Sequence, residues 1–435
     1  MKSRGEVFMN KMKDSGIEWI GDSPIEWNKF TIGQLFEQVK QKNTGLIEKN
    51  LLSLSYGRIK RKDINSGDGL LPESFEGYNI IEKDDIVLRM TDLQNDKTSL
   101  RQGIAEERGI ITSAYITMRA IHKVSPRFVY YQLYGFDVSK GYYGMGSGVR
   151  QGVNWKDIKK LSLILPNLEL QNEIAKFLDE KTALIDDIIT DTKQTIEELK
   201  SYKQSLISEI VTKGINKNVK LVPSGIEWIG EVPEEWEVLK SRYFLNEISV
   251  KGYPDEEVLS LYRDYGIIPK NSRSDNHNVT SLDTSGYKLV KPGNLVINKM
   301  KAWQGSMAIS NLRGIVSPAY YTFEVDNERF NLRFLHYALR NPAYKQEYMR
   351  ISAGLRVGQW DLNKNEFKNI KYAFPANKEE QKAIADYLDE KSSQIDTLIT
   401  EKENVISEYE NYKKSMIYEY VTGKKRVDID EGDLN

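Results

Sequence analysis

One unit of about 210 residues recurs along the chain in unbroken order, and this duplication constrains the fold more than any other feature. GIEWIGDSPIEW from Gly16 to Trp27 returns as GIEWIGEVPEEW from Gly225 to Trp236, with tryptophans in register. LSL at Leu52 returns at Leu259, and GYNIIEKDDIVL from Gly77 pairs with GYKLVKPGNLVI from Gly286. GIITSAYIT from Gly109 matches GIVSPAYYT from Gly314, GVRQGVNW from Gly148 matches GLRVGQW from Gly354, and FLDEK from Phe177 matches YLDEK from Tyr387. SYKQSLISEIVTKG from Ser201 mirrors NYKKSMIYEYVTGK from Asn411. The chain must therefore build one architecture twice.

Each copy ends in a proline, Pro166 or Pro375, followed by more than forty residues with neither glycine nor proline. Such a run predicts a helix roughly 65 to 70 Å long. In the first, Ile174, Leu178, Ile185, Ile188, Leu199, Tyr202 and Leu206 recur at three- and four-residue steps. In the second, Ile384, Leu388, Ile395, Leu398, Val405, Tyr409, Tyr412 and Met416 do the same. A lone helix would leave such a narrow seam wet, so the two helices are expected to pair as an antiparallel coiled coil, placing one lobe at each end about an approximate two-fold axis. The expected fold is α+β: two mixed α/β lobes, 1–166 and 215–376, joined by long helices, 167–214 and 377–424, with an acidic tail, 425–435. Within the lobes, β-rich runs such as DIVLRM at Asp85, ITSAYITMRA at Ile111, NLVINKM at Asn294 and PAYYTFEV at Pro318 predict a twisted, largely antiparallel sheet. Modest helices are expected around Pro126 to Tyr134 and Leu332 to Arg340. The repeated tryptophans Trp19, Trp27, Trp228 and Trp236 read as core.

The formal charge of -1 conceals an uneven distribution. Each helical run carries roughly -4 and the tail about -2, which leaves about +9 on the lobes. Basic lobes beside acidic helices fit DNA on the lobes and protein partners along the helices. The chain has no cysteine and only three histidines, His122, His277 and His336, far apart in sequence, so a zinc site or thiol nucleophile has little to build on. With neither a signal-like start nor a membrane-length apolar run, the expected location is the cytoplasm.

The paired GIEWIG..P..W openings, the proline followed by LELQNEIAKFLDEK or ANKEEQKAIADYLDEK, and the SYKQSLISEIVTKG type of closure resemble the specificity subunits of Type I restriction-modification systems over essentially the whole chain. LSLYRDYGIIPK from Leu259, LVINKMKAWQGS from Leu295 and GLRVGQWDL from Gly354 are similar to one type of target-recognition domain; LRMTDLQNDKTSLRQG from Leu88 and ERGIITSAY from Glu107 resemble another. The resemblance implies a non-catalytic, DNA-binding subunit. Each lobe would bind one half of a bipartite, asymmetric sequence in double-stranded DNA, and the helices would fix the spacing. Two methyltransferase subunits would supply S-adenosylmethionine chemistry, and two restriction subunits using ATP and magnesium would join to cut. This chain itself would hold no cofactor or metal and would not engage a membrane.

Reading base edges in the major groove calls for Arg or Lys against guanine and Asn or Gln against adenine. The first lobe offers Tyr56, Arg58, Lys60, Arg61 and Lys62, then Arg89, Asp92, Gln94, Asn95, Lys97 and Arg101, then Arg150 and Gln151. The second offers Arg263, Asp264, Tyr265 and Lys270, then Asn298, Lys299, Lys301, Trp303 and Gln304, then Arg356 and Gln359. Any one surface Lys or Arg is ordinarily just solvated, but basic clusters at matching places in two divergent lobes suggest a phosphate track with some members reaching bases. Trp303 and Trp360 read equally well as core.

Two enzyme-like motifs are decoys. Asn341-Pro342-Ala343-Tyr344 lacks the second proline of an amino-methyltransferase motif, and Gly144, Gly146 and Gly148 do not make a dinucleotide fingerprint. The acidic run Asp255, Glu256 and Glu257 is the only nuclease-like group. The competing class is a duplicated coiled-coil adaptor whose lobes bind proteins; the lobes' positive charge argues for DNA.

Overall fold

The computed structural model describes residues 11–55, 57–63, 74–91, 93, 100–145, 152–263, 265–272, 283–354 and 360–427. The chain divides into two compact units, one made of residues 1–192 and 404–435 and the other of 193–403. Four helices carry and brace the lobes: α1 (Pro126–Val138), α2 (Leu168–Lys213), α3 (Leu332–Arg340) and α4 (Lys378–Val421). The division falls inside α2 and α4, so each unit holds one lobe and part of both long helices.

The lobes share one topology. In the first unit a four-stranded sheet runs Phe36–Gln38, Ile116–Ala120, Ile86–Leu88, Gln102–Ile104. In the second, Leu245–Ile248, Tyr320–Val325, Leu295–Asn298 and Met307–Ile309 keep the same order. All these pairings are antiparallel, as the short alternating runs predict. A hairpin beside each sheet pairs Leu52–Ser55 with Arg58–Arg61, or Leu259–Tyr262 with Gly266–Pro269.

The GIEWIG motif forms a β-hairpin whose loop closes on itself. Gly21 donates its N–H to the Ile17 carbonyl at 2.9 Å and Gly230 to that of Ile226 at 3.0 Å. Both glycines sit in the left-handed region, φ +68° and +75°, where a side chain is strained. The loop turns Ile17 and Ile20, or Ile226, into the core of its unit. There Trp27 packs with Phe128, Leu178, Ile417 and Val421, and Trp236 with Phe334, Ile384, Leu388 and Ile210. Both tryptophans are core residues, as expected. Each apolar side chain buried this way contributes on the order of 2 kcal/mol.

Asn167 and Asn377 cap α2 and α4 through their Oδ1 atoms, accepting from Leu170 and Glu379 at 2.9 Å. Within each unit the two helices pack antiparallel. In the first, Phe177 meets Tyr420 with ring centroids 4.6 Å apart, while Asp186 accepts from Lys413 at 2.7 Å. In the second, Lys203 donates to Asp396 at 2.7 Å, while Ile210 shares a core with Ile384. The seam differs from its prediction. Tyr202, Leu398, Val405 and Tyr412 are exposed, Ile188 is half-buried, and Ile189, Ile196, Ile399 and Ile406 are the more buried neighbours. A regular heptad register places Thr182, Lys203, Ser392 and Lys413 on the seam, and at the two lysines a search for apolar residues settles on the adjacent Tyr202 and Tyr412 instead.

Candidate nucleic-acid interface

The hairpin that carries the first basic cluster is held from two sides. In the first lobe Tyr130 of α1 donates its hydroxyl to the Gly57 carbonyl at 3.3 Å. Arg58 reaches across to α2 and donates to Asp186 at 2.5 Å, beside Lys413 of α4. Arg61 pairs with Glu107 through two hydrogen bonds, which raise the guanidinium pKa and lower that of the carboxylate. Lys60 and Lys62 are exposed. In the second lobe Arg340 of α3 donates to the Arg263 carbonyl, and Nε2 of His336 lies 2.8 Å from the same guanidinium. The turn they hold presents Arg263 and Tyr265 to solvent, with Lys270 half-buried at its base. Tyr130 and His336 occupy equivalent positions of the two helices, as do Tyr134 and Arg340.

In each lobe the segment that follows the third cluster bonds the backbone of the second. Val153, just past the glycine-rich loop, donates its N–H to the Met90 carbonyl at 3.1 Å, next to half-buried Arg89. Leu362 donates to the Lys299 carbonyl at 2.9 Å at the equivalent place. In the second lobe Lys299 pairs with Asp361 at 2.8 Å, which raises the lysine pKa, and Lys301 is exposed. Asn298 folds inward, its Oδ1 accepting from the Met300 N–H at 3.1 Å, while Gln304 is half-buried. Trp303 leans on Trp360, ring centroids 5.3 Å apart, and donates Nε1 to the Met300 carbonyl. These indoles pack the turn. Tyr56, Asp92, Gln94, Asn95, Lys97, Arg150, Gln151, Asp264, Arg356 and Gln359 lie outside the described residues.

Arg101 corrects an expectation. Its side chain is fully buried, Nη1 donates to the Thr91 carbonyl at 3.1 Å, and its guanidinium lies 5.9 Å from the Tyr143 ring centroid. A base edge cannot reach it without rearrangement, because a cation buried at that cost stays with its internal partners. The Asn341 motif is structural too: Asn341 is buried and accepts from Ser208 Oγ at 2.9 Å, and Tyr344 stacks on Tyr372 at 4.5 Å. Glu256 in the acidic run pairs with Arg313.

Beneath both lobes lies one joint, written twice. Gln171 of α2 accepts from the Ser125 N–H that opens α1 at 3.0 Å and donates to the Pro166 carbonyl at 2.8 Å. Gln381 of α4 accepts from the Asn331 N–H that opens α3 at 2.8 Å and donates to the Pro375 carbonyl at 2.9 Å. Arg127 and Tyr131 both bond Asp179, and Arg333 and Tyr337 both bond Asp389. Burial lowers the Arg127 pKa, but its bonds to Asp179 and Glu106 more than offset this and leave it raised. Burial, reinforced by Asp389, pushes the Tyr337 phenol up to about 12.

A family model described as the Type I restriction modification DNA specificity domain matches residues 24–198 and again 233–408, one copy per lobe with its following helix. The chain belongs to the specificity subunits of Type I restriction-modification systems. Two curated relatives from Methanocaldococcus jannaschii agree in name. The Type I restriction enzyme MjaVIII specificity subunit is 25% identical over 93% of this chain and 94% of its own. A putative type I restriction enzyme MjaX specificity subunit is 23% identical over 94% and 96%. The fold matches a chain from a structure concerned with complex assembly and conformational transition of the type I R-M system, with TM-score 0.67, 14% identity, and coverage of 93% of this chain and 99% of the other. The HsdS subunit from Thermoanaerobacter tengcongensis gives TM-score 0.52 at 15% identity, covering 93% and 98%.

For a specificity subunit the joint is the part that sequence reasoning missed. Its signal was available: Asp179 and Asp389 lie inside the repeated LDEK, and Gln171 and Gln381 precede them at the same offset. Among the described residues no group of three or more His, Asp or Glu is placed to hold a metal ion, and no helix is long and apolar enough to cross a membrane.

Proposed function

We propose that lobes 1–166 and 215–376 of this specificity subunit each read one half of a bipartite, asymmetric target in double-stranded DNA. Helices 167–214 and 377–424 set the spacing and dock two methyltransferase subunits, which bring S-adenosylmethionine; two restriction subunits using ATP and magnesium complete a cutting enzyme in the cytoplasm. The subunit itself reads DNA and catalyses nothing.

The observation that carries this reading is a contrast. The joints repeat the same glutamine, tyrosine and arginine bonds to the long helices, whereas the clusters expected to face DNA differ between lobes: Arg58, Lys60, Arg61 and Lys62 in one, Arg263, Tyr265 and Lys270 in the other. A common frame holding two different polar surfaces suits two readers of two different half-sites.

The test is to map methylated adenines in DNA from cells carrying the cognate methyltransferase subunit with and without this chain. One bipartite motif that appears only with the chain is the expected result. No motif despite a soluble complex overturns the reading and favours a protein-binding adaptor.

A further inference from the structure

Beside Lys299, the second lobe gathers four lysines that the base-reading clusters do not explain. Lys288 is half-buried and donates to the Tyr320 carbonyl at 2.5 Å. Burial lowers its pKa first; Glu247 opposes that, and the ammonium groups of Lys251, Lys364 and Lys299 lower it further. Those four side chains therefore share one electrostatic neighbourhood. Lys368 joins it through Glu247, which accepts from Lys364 at 2.6 Å and Lys368 at 3.0 Å. Lys299 pairs with Asp361. Lys364 stands over the Tyr321 ring, 5.6 Å from its centroid.

Local structure accounts for part of this. Glu247 ties down the short helix Lys364–Phe367, and Asp361 anchors Lys299. It leaves Lys251, exposed and paired with no carboxylate among the described residues, and Lys288, whose bond goes to a neutral carbonyl. Five ammonium groups crowd against two paired carboxylates, an arrangement that repels itself unless an anion arrives. The patch adjoins the turn carrying Lys299, Lys301 and Trp303, since Leu362 bonds the Lys299 carbonyl. The equivalent positions of Lys288 and Lys364 in the first lobe are Asn79 and Trp155, and Trp155 opens a short helix whose Asp157 caps back onto Asn154.

We propose that Lys251, Lys288, Lys364 and Lys368 form a shelf that grips the phosphate backbone flanking the half-site read by the second lobe, with Glu247 as the carboxylate that tempers it. The shelf adds affinity without sequence information and belongs to the second lobe. The proposal rests on the DNA-reading function above.

The test uses the full chain assembled with its methyltransferase subunits, and fluorescence anisotropy on a duplex carrying the mapped motif and on a scrambled duplex, from 50 to 200 mM salt. Each lost phosphate contact lowers the slope of log affinity against log salt by about 1. A K251A/K364A/K368A variant is expected to lose about 3 from the slope, equally on both duplexes. Lys251→Ala alone, at an exposed position with no bond to lose, is expected to lose about 1. Glu247→Gln is expected to bind both duplexes several-fold more tightly, whereas a merely structural ion pair predicts no tightening. Wild-type slopes in both lysine variants, or Glu247→Gln binding no more tightly, overturn the shelf while leaving the reading function intact. A wild-type complex that binds no DNA overturns both.

Discussion

His336 governs a chain of three groups that ends at the Arg263 turn. Its Nε2 lies 2.8 Å from Arg340, and Arg340 donates to the Arg263 carbonyl. Burial, and then the adjacent Arg340 charge, depress the imidazole pKa to about 4, so the ring is neutral in the folded unit at pH 7. The unfolded chain takes up that proton near pH 6.5. Stability tied to His336 is therefore fully present above about pH 6.5 and is lost as pH falls toward 4, on the order of 2 kcal/mol by pH 5. Urea unfolding at pH 7 and pH 5 should show this loss in the second unit, and a His336→Gln variant should show much less of it. An equal loss in the variant would assign the effect to carboxylates instead. None of this was legible in the sequence, where His336 is a solitary histidine and its significance comes from burial and one neighbour. Arg101 makes the complementary point: its residue type suggested a DNA contact, but Tyr143 and the Thr91 carbonyl enclose it.

At the level of elements, the sequence announced its frame more clearly than its faces. The glycines heading GIITSAYIT and GIVSPAYYT were visible as a repeat, but their reason is spatial. A Cβ at Gly109 would stand 2.6 Å from the Asn50 carbonyl oxygen, and one at Gly314 would stand 2.4 Å from that of Glu257. Each segment lies so close because its next residue, Ile110 or Ile315, donates to that same carbonyl at 2.8 Å. Gly314→Ala must push two backbones apart, and thermal unfolding should place its cost at roughly 1–3 kcal/mol. Gly144→Ala, where an added Cβ meets nothing within 4 Å among the described residues, is the control and should unfold like the wild type. The coiled-coil seam shows the opposite limit. Period alone located two long helices, yet it set the face one residue off beside Lys203 and Lys413, and again at Ile188, Leu398 and Val405, where the adjacent Ile189, Ile399 and Ile406 take the seam. The charges of those two lysines reach Asp396 and Asp186, so both positions are compatible with a packed seam.

For the molecule as a whole, the duplication separates what holds a lobe from what a lobe reads. Gln171 with Gln381, Arg127 with Arg333, Tyr131 with Tyr337 and Asp179 with Asp389 make the same bonds in two lobes whose polar clusters have diverged. A joint that accepts either lobe should also accept a foreign one that keeps the arginine and tyrosine at its helix. Replacing residues 1–166 with the corresponding lobe of another family member, and leaving Gln171 and Asp179 in place, is therefore expected to change one half of the methylated motif and preserve the other. Mapping methylated adenines with the chimera checks this directly. A change in both halves would mean that the lobes do not read independently. Loss of all methylation from a second, folded chimera whose lobe lacks that pair, with recovery when arginine and tyrosine are placed at positions 127 and 131, would locate lobe compatibility in the joint itself.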